Sequence, residues 1–284
     1  MSFIEDLTKY EFLQNALLAG VLIGLVAPLI GVYLVVRRLS LIADALSHVG
    51  LSGVAAGLLL QKEVSALASL SPIYTGMGFS VVGALFVERI RKLYQSYQEL
   101  AIPILLSTGT GLGVVLISVA DGFNVDIAGY LFGNILAVRT EEIQLIAVVA
   151  VLVFLFLIFF YKEMFALSFD EEHAVLSGVP RRWINFLFLV LVALVVSAAI
   201  RVVGVLLVSA LITLPAAASL QIGNSFRQVL GWSVLYAQIS VLAGLLAAYY
   251  FDFASGGAIV LVSVMILLIN VFVKQVRRRV RSTS

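Results

Sequence analysis

The chain has 284 residues, of which 62% are hydrophobic and 12% charged; its mean hydropathy is +1.12 and its formal net charge is +2. A soluble globular domain carries about 25% charged and about 45–50% apolar residues, so no water-soluble core hides this much apolar surface, and lipid is the solvent for most of the chain. The lack of cysteine excludes disulfides, thiolate metal sites and thiol nucleophiles, and leaves His48 and His173 as the two imidazoles.

The first residues are acidic rather than basic and show no small-residue cleavage site after a short apolar run, so they do not read as a signal peptide. Phe3, Ile4, Leu7, Tyr10 and Phe12 alternate with Glu5, Asp6, Lys9 and Glu11, which predicts a short interfacial helix over residues 1–12. A spanning helix needs about 20 predominantly apolar residues. Such stretches recur near 13–36, 39–60, 64–87, 100–120, 143–161, 183–200, 202–222, 228–251 and 253–273. Backbone polar groups in lipid must be bonded within their own segment, so these stretches are helices. Their length excludes the short alternating strands of a membrane barrel. Residues 130–138 are too short to cross, and Gly129–Gly133 reads as a re-entrant or interfacial helix. The region around Arg201 can be divided in two ways, so the bundle has eight or nine spans. Pro28 and Pro215 lie inside spans and are expected to bend or unwind them. The fold class is all-α: a polytopic membrane helix bundle forming one domain over residues 1–284, with a cytoplasmic loop at 162–182 and a basic tail at 274–284.

Lysine and arginine set the orientation. With the tail in the cytoplasm, alternation puts fourteen of them inside and leaves Lys9, Lys62, Arg139 and Arg201 outside. Nine carboxylates fall outside and six inside, with Asp44 in the membrane. The C-terminus is therefore expected in the cytoplasm, and the protein in the plasma membrane.

Ionisable groups inside the spans form one cluster, Asp44 and His48 with Ser47 and Ser52 nearby. Residues four apart share a helix face, about 5–6 Å between Cβ atoms. A carboxylate in mid-membrane costs at least about 2.5–3.5 kcal/mol. An oxygen donor and an imidazole nitrogen suit zinc or manganese. Spacing alone leaves a second reading open, in which Asp44 pairs with Arg37 and Arg38 at headgroup level and His48 bonds a carbonyl. Two ligands do not complete a metal shell; a symmetric dimer would bring two Asp and two His together. Asp121, Asp126 and Asp252 are candidates for the path by which an ion approaches from outside.

In the loop 162–182, the run from Asp170 to Gly178 reads as a short helix closed by Gly178 and followed by Pro180. It is either a solvated connection or a docking helix for a partner, with Asp170, Glu171, Glu172, Ala174 and Gly178 as its coupling residues. His173 reads as ordinary surface. No nucleotide-binding loop, H-E-x-x-H or Ser/His/Asp arrangement is present, so an enzyme is not expected and energy must come from another polypeptide or an ion gradient.

The stretch Arg37–Gly53 resembles the permease family of ABC importers for zinc, manganese and iron. So do Tyr130–Gly133, the loop Asp170–Gly178 and Val203–Ala217, in that order along nearly the whole chain. The likeness is greatest to zinc permeases of the Gram-positive type, with the Asp/His motif shared by manganese members. It implies a homodimer or a pair of related permeases, two cytoplasmic ATP-binding subunits that bind and hydrolyse ATP, and an extracytoplasmic metal-binding receptor. No cofactor is bound permanently; a zinc or manganese ion is the cargo. The resemblance also implies that Glu171–Gly178 couples to the ATPase and that Asp44 and His48 belong to the metal path. Relatives often carry a proline-rich turn where this chain has Asp252–Gly257, which leaves the role of Asp252 open. A proton-driven secondary transporter using Asp44 is the rival from another class, and a membrane scaffold is a third reading.

Overall fold

The computed structural model describes residues 3–64, 71–94, 97–120, 125–251 and 253–282. Among these, nine helices are long and apolar enough to span a bilayer: α2 (Glu11–Val36), α3 (Leu41–Glu63), α4 (Pro72–Leu93), α5 (Ala101–Val119), α7 (Thr140–Phe159), α10 (Arg181–Val203), α11 (Val205–Ile222), α12 (Phe226–Phe251) and α13 (Ser255–Ser282). Four short helices complete the chain: α1 (Phe3–Lys9), α6 (Val125–Phe132), α8 (Tyr161–Phe169) and α9 (Glu171–Leu176). The higher of the two expected span counts holds. The expected stretch 130–138 does not cross: α6 is eight residues long and is followed by a 3-10 turn at Ile135–Ala137.

The third span differs most from its expected limits. Hydropathy places it at 64–87, whereas the helix starts at Pro72 and runs on through Arg89, Arg91 and Lys92. Proline at the first helical position pre-sets φ and lacks an N–H that would be orphaned there anyway. At the other end the basic side chains extend past the lipid while their stems stay apolar, so the helix need not stop where the hydropathy does. Neither proline unwinds its span: α2 and α11 run through Pro28 and Pro215 as uninterrupted helices.

The interior is built on α2, α3, α10 and α11, whose buried faces are lined by Ala19, Ile23, Ala45, Val54, Val192, Ala199, Val208 and Ile212. α3 packs most extensively on α4 and α5, and also on α10 and α11. Without a hydrophobic force between helices in lipid, close approach of backbones and interhelical hydrogen bonds must hold them. Buried serines supply several such bonds. Ser52 Oγ donates to the Gly109 carbonyl of α5 at 2.5 Å, Ser80 Oγ to the Leu46 carbonyl at 3.2 Å, and Ser47 Oγ to the Val205 carbonyl at 3.2 Å.

A crossing of bare backbones joins α6, the α10–α11 turn and the start of α13. Gly204 is the single residue between α10 and α11, with φ 89° and ψ 153°. A side chain there would overlap the backbone of Phe132 and Gly133, and one on Gly256 would overlap Val203 and Phe132. The Asn134 N–H donates to the Arg201 carbonyl at 3.2 Å, tying the segment after α6 to the same turn. Gly129–Gly133 thus belongs to a helix end packed into the bundle, not to a free surface loop.

Candidate functional site

From Ile42 to Ala55 every residue of α3 is buried except two, Asp44 and His48. These two are half-buried and share one face, as their spacing predicts. The rest of this segment is clasped by α4, α5, α10 and α11, so the carboxylate and the imidazole mark the side on which the single chain leaves α3 open. The neighbouring face of α11 is polar as well. Ser209 Oγ donates to Asp44 Oδ1 at 3.3 Å, and Thr213, one turn on, is half-buried. Ser47 donates to the Asp44 carbonyl at 2.8 Å and Ser52 to the His48 carbonyl at 3.1 Å, so serines brace the backbone behind both side chains.

The alternative pairing with Arg37 and Arg38 is not what forms. Arg37 Nη2 donates to Asn185 Oδ1 at 2.8 Å and its guanidinium lies over the Phe188 ring, 5.7 Å from the centroid. The one polar partner of the Asp44 side chain among the described residues is Ser209. Also among the described residues, no cluster of three or more His, Asp or Glu is arranged to hold a metal ion. Asp44 and His48 alone offer two donors, and a four-coordinate zinc ion would need two more.

Sequence reasoning did not single out Ser209 and Thr213. Their signal was present: two small hydroxyl residues four apart in an apolar span whose other residues nearby are Val, Leu and Ala. Of the three candidates for the outer path, Asp121 and Asp252 lie outside the described residues, and for Asp126 the helix α6 is described but not the side chain. The same end of the bundle holds a charge pair that was read as loop charge. Arg201 Nε lies 3.5 Å from Glu142 Oε2, with both side chains mostly buried, and the guanidinium sits 4.8 Å from the Tyr130 ring centroid. Glu142 also accepts the Arg139 N–H at 3.0 Å.

At the other end, α9 is the short helix expected within the loop, and α8 is a second helix that precedes it. Asp170 Oδ1 accepts the His173 N–H at 2.9 Å, capping α9. Gly178, with φ 88°, closes it: its N–H donates to the Val175 carbonyl and that of Val179 to the Ala174 carbonyl. Ala174 is buried, His173, Glu172 and Val175 are exposed, and Leu176 is 85% exposed. Glu171 pairs with Arg181 at 2.5 Å in solvent. α8 is seated by aromatic contacts around Phe226 at the start of α12, whose ring meets Tyr161, Phe165, Phe169 and Tyr33 at centroid distances of 5.2–6.3 Å. These packed rings join α8, which leads into α9, to α2 and α12.

Among the described residues, nine helices of spanning length, a polar pair on α3 and a capped helix exposed at one end define a multi-pass membrane protein of the permease type. Residues 9–274 match the ABC 3 transport family, and the chain belongs to it. It is 34% identical to the manganese import system permease protein ScaB of Streptococcus gordonii, over 97% of this chain and 96% of that one. It is 26% identical to the high-affinity zinc uptake system membrane protein ZnuB of Haemophilus influenzae, over 94% and 99%. Among solved structures, a chain of PsaBC from Streptococcus pneumoniae in complex with Fab superposes with a TM-score of 0.86 at 32% identity, each chain covered to 99%. The resemblance drawn from the motifs holds.

Proposed function

We propose that this chain is the membrane-spanning permease of an importer that carries a divalent transition-metal ion into the cytoplasm, driven by ATP hydrolysed on separate subunits. The observation that carries this reading is the pair Asp44 and His48, alone unburied in a buried stretch of α3. A carboxylate at that depth is not left to lipid. It faces either a water-lined path or a second copy of the chain, and a twofold axis along that face supplies both. Two Asp and two His then surround one ion, with Ser209 and Thr213 alongside.

The donor set takes zinc or manganese. The sequence motifs lean towards zinc, whereas ScaB, named for manganese, is more similar to this chain than ZnuB, named for zinc. The relatives weigh towards manganese, and uptake of each ion in competition with the other decides between them. With the basic tail inside, α9 lies in the cytoplasm, where Asp170 to Gly178 form the surface that meets the ATPase. A receptor outside the membrane would deliver the ion to the outer end near α6.

Leu176 tests the coupling. It is almost fully exposed, so Leu176→Asp leaves the fold intact, yet it puts a charge in the centre of the proposed contact. Uptake in vesicles containing the ATPase is expected to fall more than tenfold, by the roughly 1.4 kcal/mol or more that a buried unpaired charge removes from a contact. Unchanged uptake would remove α9 from the coupling role. Uptake that needs no ATPase and collapses with the proton gradient would favour the secondary transporter.

A further inference from the structure

The end of the bundle that carries α9 also holds a concentration of positive charge. Two adjoining cavities, about 310 Å³ and 240 Å³, share Arg37, Arg91, Arg181 and Asn185. Together they are lined by six cations, Arg37, Arg38, Arg91, Lys92, Arg181 and Arg182, against two carboxylates, Glu88 and Glu171. Both carboxylates are already engaged, Glu88 with Lys92 at 3.0 Å and Glu171 with Arg181 at 2.5 Å. The α10 N-terminus opens here with Arg181, adding the positive end of a 23-residue helix. Phe188, Leu189 and Leu39 supply the apolar part of the lining.

An anion placed among these like charges would ease their mutual repulsion. Burial pushes Arg37 below the ordinary arginine range; Glu171 opposes this, and the nearby Arg91 and Arg181 add to it. The backbone bears a second mark. α2 ends through a bond from the Leu39 N–H to the Leu34 carbonyl at 2.8 Å, a closure that calls for a left-handed residue and normally for glycine. Arg38 holds that place with φ 57°, the one non-glycine residue with positive φ among the described residues. A strained arginine where glycine would be relaxed indicates that its side chain has a use.

We propose that this cavity binds a phosphate group, and that the phosphodiester of an anionic phospholipid headgroup is its occupant. Guanidinium groups match phosphate oxygens in a forked geometry. Basic pockets between spanning helices at the basic face of a membrane protein take anionic headgroups in this manner. The cavity is lined from the ends of three spanning helices, α2, α4 and α10, where headgroups lie, which favours a lipid over a soluble anion.

The test uses the full-length chain in neutral detergent, titrated with phosphatidylglycerol, phosphatidylcholine or inorganic phosphate while its melting temperature is followed. Phosphatidylglycerol is expected to raise the melting temperature and phosphatidylcholine to leave it. Arg38→Gly should start about 2 °C higher, because strain is relieved, yet bind phosphatidylglycerol about fivefold more weakly. The exposed Arg182→Gln should also lose about fivefold without any change in starting stability. Lys162→Gln, a cation outside the cavity, should keep the wild-type midpoint. An equal response to inorganic phosphate would support the phosphate site with a soluble source. Equal responses to both lipids, or wild-type midpoints in both arginine variants, would overturn the proposal.

Discussion

Asp44→Asn is expected to stop metal uptake while the chain inserts and folds as before. Asparagine keeps the shape of aspartate and can still accept the Ser209 hydroxyl, now 3.3 Å from Oδ1. What it loses is the negative charge, and a divalent ion leaving water needs charged oxygen more than it needs shape. A loss of about 2.7 kcal/mol of binding is already a hundredfold fall in affinity, and a twofold site would lose two charges at once. Uptake should therefore fall by at least about a hundredfold, with an unchanged melting temperature. His48→Ala should behave similarly, because the backbone behind it is held by Ser52 and by the close approach of Gly109 rather than by the ring. Measured in vesicles with the ATPase present, near-normal uptake by both variants would remove this face of α3 from the path.

Gly204→Ala is expected to be the most damaging single change to the fold. Its φ of 89° and ψ of 153° lie in a region that is essentially glycine-only. Backbone strain of about 1–3 kcal/mol is only the first cost. The added methyl also overlaps the Phe132–Gly133 backbone, so α6 must leave the α10–α11 turn, and with it the Asn134 bond to Arg201 and the seat of Gly256. Since whole-protein stabilities are about 5–15 kcal/mol, little folded protein should survive solubilisation. Gly111→Ala is the control: nothing surrounds that position within 4 Å and it lies mid-helix in α5, so a small gain in stability is expected. A Gly204→Ala chain with wild-type yield and melting temperature would show that the crossing is looser than described.

The spans were legible because the membrane imposes one rule on all of them. An apolar stretch of spanning length must be a helix, and seven of the nine lie within three residues of where hydropathy puts them. The two exceptions are α13, which continues as helix through the basic tail to Ser282, and α4, which shows the limit of that signal. Its helix begins at a proline and ends beyond three basic residues, and hydropathy responds to neither. Tertiary packing was less visible. That α6 docks on the α10–α11 turn follows from three glycines distant in sequence, and no local pattern announces their meeting. The half-site was half legible: Asp44 and His48 stood out as charge in oil, whereas Ser209 matters only because α11 lies beside α3. The Arg201–Glu142 pair was hidden for the same reason, since its partners come from α10 and α7. The hub at Phe226 had no signal at all in a chain with 18 phenylalanines.

The central claim is that Asp44 and His48 form half of a site that a second copy completes. It is tested most directly by the number of manganese or zinc ions bound per purified permease chain at saturation, before and after Asp44→Asn. One ion for every two chains, lost in the variant, is the predicted result. One ion per chain, or the same binding in the variant, would contradict it.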